Sequence, residues 1–218
     1  MINKKVYLTG HNGMVGGAVL KCLKRKNYKK IVTANRNELN LTLFKEVNQF
    51  LKKKKPKLII ICAAKVGGIK INSEKLGEFY YENISIQNNL IHSAFLNNIK
   101  NIIFLGSSCI YPKHSRQPIL EEYLLTGELE PTNEAYAIAK IAGVKMCEFY
   151  NKQYEKSHNL DYRSIMPTNL YGYGDNYDLN DSHVIPALMR KIHEAKVLKK
   201  PHVEIWGTGK AKRDFLFV

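Results

Sequence analysis

The sequence has no hydrophobic run long enough to cross a membrane. A typical apolar stretch, LIIICAA at 58–64, is only as long as a strand, whereas a helix that spans a bilayer needs roughly 20 apolar residues. The chain opens with MINKKVYLTG, in which two lysines lead directly into a strand-like segment, so no signal peptide is expected. These absences favour a cytoplasmic protein that has no membrane partner.

Cysteine is scarce and irregularly placed. The four cysteines lie at positions 22, 62, 109 and 147, a spacing that contains neither a zinc-like pair nor a compact disulfide pattern. The sequence therefore predicts no metal site, and it fits a reducing compartment.

Acidic residues are few compared with basic ones: 19 Asp and Glu stand against 34 Lys and Arg, for a formal net charge of +15. Such a balance would attract phosphates and other polyanions. It is also explained by composition alone, because the lysines are scattered and KKKK at 52–55 reads as a solvated helix end. No basic stripe is interleaved with aromatic residues, as single-strand binding would need. We favour the compositional explanation and expect no nucleic-acid partner.

Strand and helix patterns alternate along the chain, without internal repeats. Strands are predicted over 5–10, 30–36, 58–64, 101–108, 162–172 (running into a loop), 203–207 and the final FLFV, and helices over 13–26, 43–55, 74–98, 133–154 and 183–196. This alternation is typical of an α/β protein with a Rossmann-like, doubly wound parallel sheet.

The motif GHNGMVG at 10–16 follows the first predicted strand and opens the first predicted helix. Gly10, Gly13 and Gly16 suit a tight turn, a close backbone approach to a pyrophosphate, and tight packing of helix on strand. The helix N-terminus offers free N–H groups to phosphate. An ordinary glycine-rich turn is the alternative, but the strand–turn–helix context favours a dinucleotide site that includes His11, Asn12, Met14 and Val15.

The second predicted strand ends near Arg36, about where the adenosine ribose of a dinucleotide would lie. An acidic residue there suits NAD, and an arginine suits the 2′-phosphate of NADP. We therefore predict NADP, with an ordinary surface arginine as the alternative. Ala63 and Ala64, at the end of a neighbouring strand, are small enough to let the cofactor lie close, unless they serve only core packing.

Ser107, Tyr136 and Lys140 suggest carbonyl chemistry. Tyr136 and Lys140 are four residues apart, so one helix face carries both side chains. We expect the ammonium to lower the pKa of the phenol, and Ser107 to share the hydrogen bond that a substrate carbonyl accepts. Tyr-x-x-x-Lys also occurs on solvated helix faces, so the glycine motif is needed to support this interpretation.

Taken together, these motifs resemble the extended short-chain dehydrogenase/reductases, and within them the NADPH-dependent epimerase–reductases of nucleotide-sugar metabolism. The resemblance runs through nearly the whole chain. It is carried by GHNGMVG (10–16), RNELNL (36–41), AAKVGGI (63–69), LGSSCIYPK (105–113), LEPTNEAYAIAKIAG (129–143), MPTNLYG (166–172), SHVIPAL (182–188) and WGTGKAKRDF (206–215).

The resemblance implies a substrate of the GDP-4-keto-6-deoxy-hexose class, epimerised at C3 and C5 and then reduced at C4. Cys109 would be the base and His183 the acid of the epimerisation. Tyr136 would give a proton to O4, and Lys140 would bind the nicotinamide ribose. Taken alone, Cys109 reads as a small buried hydrophobe and His183 as a surface or capping residue, but the resemblance favours catalytic roles.

The resemblance also implies further contacts, an organisation into two regions and a homodimer. The cofactor would touch Asn40, Leu41, Leu105, Gly106, Ser108, Pro167, Thr168, Asn169, Leu170 and His183. The substrate would touch Lys191, Trp206 and Arg213, although Trp206 also suits a strand core. Residues 1–172 would form the NADP-binding domain and residues 173–218 the start of a smaller substrate-binding region.

The sequence departs from the related proteins in two ways. Asn12 stands where relatives often carry an arginine that helps to hold the 2′-phosphate, so the NADP prediction depends mainly on Arg36. The chain also stops at RDFLFV, where relatives continue through the rest of a substrate domain. An inactive NADP-binding remnant is therefore kept as an alternative. A related nucleotide-sugar reductase or epimerase is a second one, although the Ser-Ser-Cys stretch argues against it.

Overall fold

The computed structural model describes residues 2–205, 207–210 and 212–218. The strands are β1 (Val6–Thr9), β2 (Ile31–Val32), β3 (Leu58–Ile61), β4 (Asn101–Leu105), β5 (Asp161–Ile165), β6 (Asn169–Tyr171) and β7 (Phe215–Phe217). The helices are α1 (Met14–Arg25), α2 (Phe44–Lys54), α3 (Ile69–Glu74), α4 (Leu76–Leu96), α5 (Glu134–His158) and α6 (Val184–Val197).

Five strands form one parallel sheet in the order β2-β1-β3-β4-β5. The register pairs Val6 with Leu58, and Ile59 with Ile102. The chain leaves β1 toward one edge of the sheet and returns to place β3 on the other side of β1. This reversal opens a crevice at the carboxyl ends of the strands, where such sheets bind ligands. The predicted α/β, Rossmann-like class is confirmed.

Apolar side chains cover both faces of the sheet. On one face α2, α4 and α5 pack over Tyr7, Ile59, Ile61 and Phe104, all at most 1% exposed. On the other face α1 covers a smaller cluster built from β1 and β3. Burial on both faces explains why β3 reads as a continuous apolar run rather than an alternating one.

The structure corrects the bounds of several predicted elements. The second strand ends at Val32 rather than near 36, because the Asn35 side chain accepts hydrogen bonds from the backbone N–H groups of Asn37 and Glu38 (3.0 and 3.1 Å) and closes a local turn. The helix predicted over 74–98 is preceded by the separate short helix α3, and the two are divided at Lys75. The strand predicted over 203–207 is not confirmed, because its described residues, 203–205 and 207, form no strand.

A second, two-stranded parallel sheet joins β6 to β7. The side chains of Thr168 and Asn169 both donate to the Asp214 carbonyl at 3.0 Å, just before β7 begins. The prediction of a strand near the end of the chain is confirmed. Of the helices described, none is both long and apolar enough to cross a membrane.

Gly143 lets α5 approach the sheet closely, which generates a prediction about stability. A Cβ at this position would lie 2.5 Å from the Phe104 ring and 2.8 Å from the Gln87 side-chain oxygen. We expect Gly143→Ala to lower the free energy of unfolding by about 1–3 kcal/mol through overpacking. Gly77→Ala in α4, where a Cβ meets nothing within 4 Å, is the matched control and should be neutral or slightly stabilising. Urea denaturation of both variants measures the difference, and equal midpoints would contradict the prediction.

Candidate active site

Each glycine of the 10–16 turn has its own structural role. Gly10 has a φ of +68°, and a Cβ there would lie 2.7 Å from the backbone nitrogen of Ala63. A Cβ on Gly16 would collide with the Gly10 carbonyl oxygen. The Gly13 N–H donates to that same carbonyl oxygen at 3.0 Å and closes the turn. The turn therefore brings α1, β1 and the end of β3 into close contact.

The N-terminus of α1 fits a phosphate group. Gly13 is its N-cap, no side chain caps its N–H groups, and its first turn carries no acidic residue. Free N–H groups and the positive end of the helix dipole favour an anion at such a place. His11, Asn12, Met14 and Val15 lie on this turn and are half-buried or exposed, so the residues present suit the pyrophosphate of a dinucleotide.

The segment after β3 is held by a buried asparagine that the sequence analysis missed. Asn83 of α4 is 2% exposed. Its amide oxygen accepts from the Lys65 N–H, and its amide nitrogen donates to the Lys65 carbonyl, both at 3.0 Å. The Ala63 N–H donates to the Thr9 hydroxyl at 3.1 Å. These bonds fix the backbone of residues 63–65 beside the glycine turn, where Ala63 and Ala64 leave room for a ligand.

Arg36 shares a carboxylate with a lysine. Its guanidinium is 79% exposed and lies 3.6 Å from Glu82, while the Lys65 ammonium lies 2.6 Å from Glu82 and 2.8 Å from Glu78. The hydrogen bond to Glu78, followed by that to Glu82, raises the pKa of Lys65. Arg36 is thus accessible at the flank of the crevice that was predicted for the adenosine ribose.

Two other predicted cofactor contacts lie on this flank. The Asn40 N–H donates to the Glu46 carboxylate at 3.0 Å, and the Leu41 carbonyl accepts from the Asn89 amide at 2.9 Å. Their backbone is therefore anchored to α2 and α4.

Ser107 opens a short turn at the carboxyl end of β4. The turn is one of 3-10 helix over Ser108–Ile110, and the Ser107 hydroxyl accepts from the Cys109 N–H at 3.4 Å. The N–H groups of Gly106 and Ser108 donate to the carbonyls of Ile165 and Pro167, at 2.8 and 3.2 Å. The chain beyond β5 therefore holds this turn against the crevice.

Lys140 is the buried cation of the site, at 3% exposure. Its ammonium donates to the Leu105 carbonyl at 2.7 Å and lies 5.7 Å from the centre of the Tyr136 ring. Burial lowers the pKa of Lys140 to about 8, while the nearby thiols of Cys109 and Cys62 act in the opposite direction. The ammonium sits over the tyrosine ring, as the four-residue spacing predicts.

The sequence predicted that the Lys140 ammonium would lower the pKa of the Tyr136 phenol, and this prediction is wrong. Burial raises the pKa of the Tyr136 phenol, the Cys109 thiol adds to this rise, and a hydrogen bond with the Ser107 hydroxyl only partly opposes it. The loss of solvation disfavours the phenolate more than its neighbours favour it. Tyr136 is consequently a neutral phenol over the physiological pH range, a state suited to giving up a proton.

Cys109 is a half-buried free thiol beside these groups. Burial raises its pKa, while the Ser107 hydroxyl and the Lys140 charge lower it. Cys62 at the end of β3, which the sequence analysis did not select, is a second thiol near Lys140, and burial raises its pKa to about 11.

Four of the five predicted catalytic residues are therefore brought together, namely Ser107, Cys109, Tyr136 and Lys140. His183 is the N-cap of α6 and is exposed, and among the described residues its side chain makes no hydrogen bond to those four. His183 occupies the N-cap position of α6, but its side chain makes no capping hydrogen bond to the helix.

Two of the predicted substrate contacts, Lys191 and Arg213, donate to backbone carbonyls in the last part of the chain. The Lys191 ammonium donates to the Glu204 carbonyl at 3.3 Å, and the exposed Arg213 guanidinium donates to the Lys212 carbonyl at 2.8 Å. Trp206 lies outside the described residues. Pro167 and Leu170 flank the two residues that bond to Asp214, and Leu170 pairs with Leu216 between β6 and β7.

The burial of Asn83 could have been predicted from the sequence. Phe79, Asn83, Gln87 and Leu90 share the buried face of α4, and helical spacing alone predicts that face. Polar residues on an apolar helix face must find partners when buried, so Asn83 and Gln87 could have been selected.

The chain is similar to known proteins. The model of the NAD dependent epimerase/dehydratase family matches residues 6–218. A GDP-L-fucose synthase of Sinorhizobium fredii (strain NBRC 101917 / NGR234) is 51% identical over 98% of the chain, and one of Escherichia coli (strain K12) is 48% identical over 100% of it. In each case the chain covers 67% of the relative's length.

A solved structure is similar as well. The GDP-D-glycero-L-gluco-heptose synthase of Campylobacter jejuni, crystallised in the presence of NADPH, superposes with a TM-score of 0.89 at 35% identity, covering 100% of this chain and 71% of that one. The chain thus spans about two thirds of the length of these relatives. With its family match, its glycine turn and its serine–tyrosine–lysine group, the chain belongs to the NAD dependent epimerase/dehydratase family.

Proposed function

We propose that this protein is an NADPH-dependent epimerase–reductase that converts GDP-4-keto-6-deoxy-D-mannose to GDP-L-fucose. The observation that carries the proposal is the convergence of Ser107, Cys109, Tyr136 and Lys140 at one end of the sheet, beside the glycine turn. Epimerisation needs a base, and a thiol in such a group supplies one. A simple reductase does not need this base. The names of the similar relatives support the substrate.

NADPH is proposed as the cofactor because two features support it. The similar Campylobacter structure was obtained with NADPH, and Arg36 offers an exposed guanidinium where a 2′-phosphate is expected. The uncapped N-terminus of α1 would hold the pyrophosphate, with Ala63, Ala64 and Pro167 to Leu170 along the crevice. When bound, NADPH supplies the hydride that reduces C4.

Epimerisation requires that a proton be removed from one face of C3 or C5 and returned to the other. Those protons are acidified by the C4 ketone. Cys109 is the proposed base, and the Ser107 hydroxyl and the Lys140 ammonium both favour its thiolate against the effect of burial. His183, exposed at the start of α6, is the proposed acid.

Reduction requires a proton at O4. Tyr136 is held as a neutral phenol by burial, so it can donate that proton while Ser107 shares the hydrogen bond to the carbonyl. The Lys140 ammonium faces the tyrosine ring and stabilises the charge that the phenol acquires as it gives up its proton.

We further propose that residues 1–172 bind the cofactor and that 173–218 begin the substrate-binding region, where Lys191, Trp206 and Arg213 would contact the nucleotide sugar. The proposed protein partner is a second copy of the chain, paired through α4 and α5. Both helices carry exposed aromatic residues, among them Tyr81 at 65% and Phe149 at 58% exposure, which supports a homodimer. A cytoplasmic location remains a prediction.

The base is tested by replacing the thiol. We expect Cys109→Ser to reduce the incorporation of solvent deuterium at C3 and C5 of the substrate by about 10²–10⁴-fold, because a positioned base contributes that much. NADPH binding should be unchanged. NMR of the recovered sugar measures the exchange, and Cys22→Ser, a half-buried thiol in α1, is the matched control. Full exchange in Cys109→Ser, or its absence in the unsubstituted protein, would contradict the proposed function.

The pKa of Lys140 predicts a pH dependence. The ammonium loses its proton as the pH rises through about 8, so kcat/KM for NADPH oxidation should fall above that pH. Lys140→Arg keeps the charge at all accessible pH values and should remove this alkaline limb, whatever its effect on the maximal rate. Steady-state rates between pH 6 and 10 provide the test. An alkaline limb that stays in place in Lys140→Arg would exclude Lys140 as its source.

Arg36 is tested through cofactor preference. Arg36→Ala should weaken NADPH binding by about 10–100-fold, since a hydrogen bond to a charged group contributes about 1.5–3 kcal/mol, and should leave NADH binding nearly unchanged. Fluorescence titration of the reduced nicotinamides measures both constants. Arg25→Ala at the end of α1 is the control for the loss of one positive charge. Parallel losses for NADPH and NADH would show that Arg36 does not contact the 2′-phosphate.

A further inference from the structure

Gly67 and Gly68 have no part in the proposed catalysis. They contact Asp181 and Ser182, the two residues just before His183. The Gly68 N–H donates to the Asp181 carbonyl at 2.9 Å. Gly67 and Gly68 follow the segment that Asn83 holds beside the crevice, and Asp181 and Ser182 lead directly into α6. This contact joins the cofactor side of the molecule to the start of the helix that carries the proposed acid.

The contact leaves no space for a side chain. A Cβ on Gly68 would lie 2.5 Å from the Ser182 carbonyl oxygen and 3.3 Å from its carbonyl carbon. Both atoms belong to the backbone, which cannot rotate away. The φ of Gly68 is −68°, a value that any residue adopts. Glycine is therefore required here by the close approach of Ser182 and not by backbone conformation.

Each side of the contact is braced. Asn72 is 7% exposed, and its amide donates to the carbonyls of Gly67 and Gly68 at 2.7 and 3.0 Å. On the other side the Ser182 N–H donates to the Asp178 carbonyl at 2.9 Å. Each segment is thus held by hydrogen bonds within its own part of the chain. A change in the distance between the two segments would therefore move one relative to the other.

Few other bonds hold the two segments together. Asp181 Oδ1 and Ser182 Oγ are buried and have no hydrogen-bond partner among the described residues, and the Lys70 ammonium reaches Asn180 only at 3.5 Å on the surface. The separation of the segments is set mainly by the glycine contact and one backbone hydrogen bond.

We propose that Gly67 and Gly68 are positioning residues for His183. His183 is the next residue after Ser182, and its carbonyl accepts the first hydrogen bond of α6, from the Ala187 N–H at 3.0 Å. Pushing Ser182 outward would move the N-terminus of α6 and, with it, the His183 imidazole. The inference rests on the proposed role of His183 as the acid that returns a proton to the sugar.

The test compares Gly68→Ala with Gly77→Ala, whose Cβ meets nothing within 4 Å. Gly68→Ala should lower deuterium incorporation at C3 and C5 by about 10–100-fold, because misplacement by about 1 Å costs that much. NADPH affinity should stay within about 2-fold, and Gly77→Ala should change neither quantity. In a His183→Ala background Gly68→Ala should cause no further loss, since residues that act through one another are not additive.

A second readout does not depend on turnover. The imidazole ring signals of His183, assigned by their loss in His183→Ala, should shift in the NMR spectrum of Gly68→Ala and stay in place in Gly77→Ala. Unmoved signals, or losses that add in the double variant, would overturn the inference. If Gly68→Ala does not fold, Gly67→Ala is the second variant. A Cβ there meets the side chains of Asp181, Ile71 and Phe79 rather than backbone atoms, so it should shift the His183 signals in NMR by a smaller amount, and unmoved signals would again overturn the inference.

The proposed function and this inference fail in different ways. Undiminished exchange in His183→Ala would remove the acid from the proposed function. Loss of exchange in His183→Ala together with full exchange in Gly68→Ala would leave that function intact and overturn the positioning role. A fall in NADPH affinity that matches the fall in exchange would also overturn it, because it would indicate general damage to the crevice.

Discussion

The site depends on one buried positive charge, the ammonium of Lys140. Its hydrogen bond to the Leu105 carbonyl ties α5 to the end of β4, and this tie brings Tyr136 to the turn that carries Ser107 and Cys109. Burial lowers its pKa from 10.5 to about 8, which corresponds to a free-energy cost on the order of 3 kcal/mol for keeping the charge. The fold tolerates this cost at the point where the proposed carbonyl chemistry needs a cation in a site of low polarity.

Close backbone approaches are the second constraint. Gly10 and Gly16 bring α1 against β1 and β3, Gly143 brings α5 against β4, and Gly68 brings the residues before α6 against the start of α3. A side chain at any of these positions would separate two elements that meet at the crevice. Burial raises the pKa of both the tyrosine and the thiol, and the cation opposes this rise at the thiol. The glycines set how closely the elements that carry these groups approach one another.

Much of the fold could be predicted because it follows from local patterns. The glycine turn, the apolar β3 and the Tyr136–Lys140 spacing all lie where the sequence indicates. The second strand was predicted too long, because the Asn35 side chain competes with the sheet for backbone N–H groups. Helical spacing indicates that Asn83 is buried but does not show its partner, Lys65, because that residue is 18 positions away. The tyrosine pKa was predicted in the wrong direction, because spacing along a helix reveals nearby charges but not the loss of solvent.

The sequence by itself determined the fold class, the glycine turn and the grouping of Ser107, Tyr136 and Lys140 as candidates, because each of these is written in residue types and spacings along short stretches of chain. Cys109 and His183 became candidates through the family resemblance. The tertiary structure alone decided the protonation states and the contacts: a neutral Tyr136, a Lys140 with a pKa of about 8, a Glu82 shared by Arg36 and Lys65, and an exposed His183. Desolvation and close packing depend on what surrounds a residue in three dimensions, and those surroundings come from segments far away along the chain.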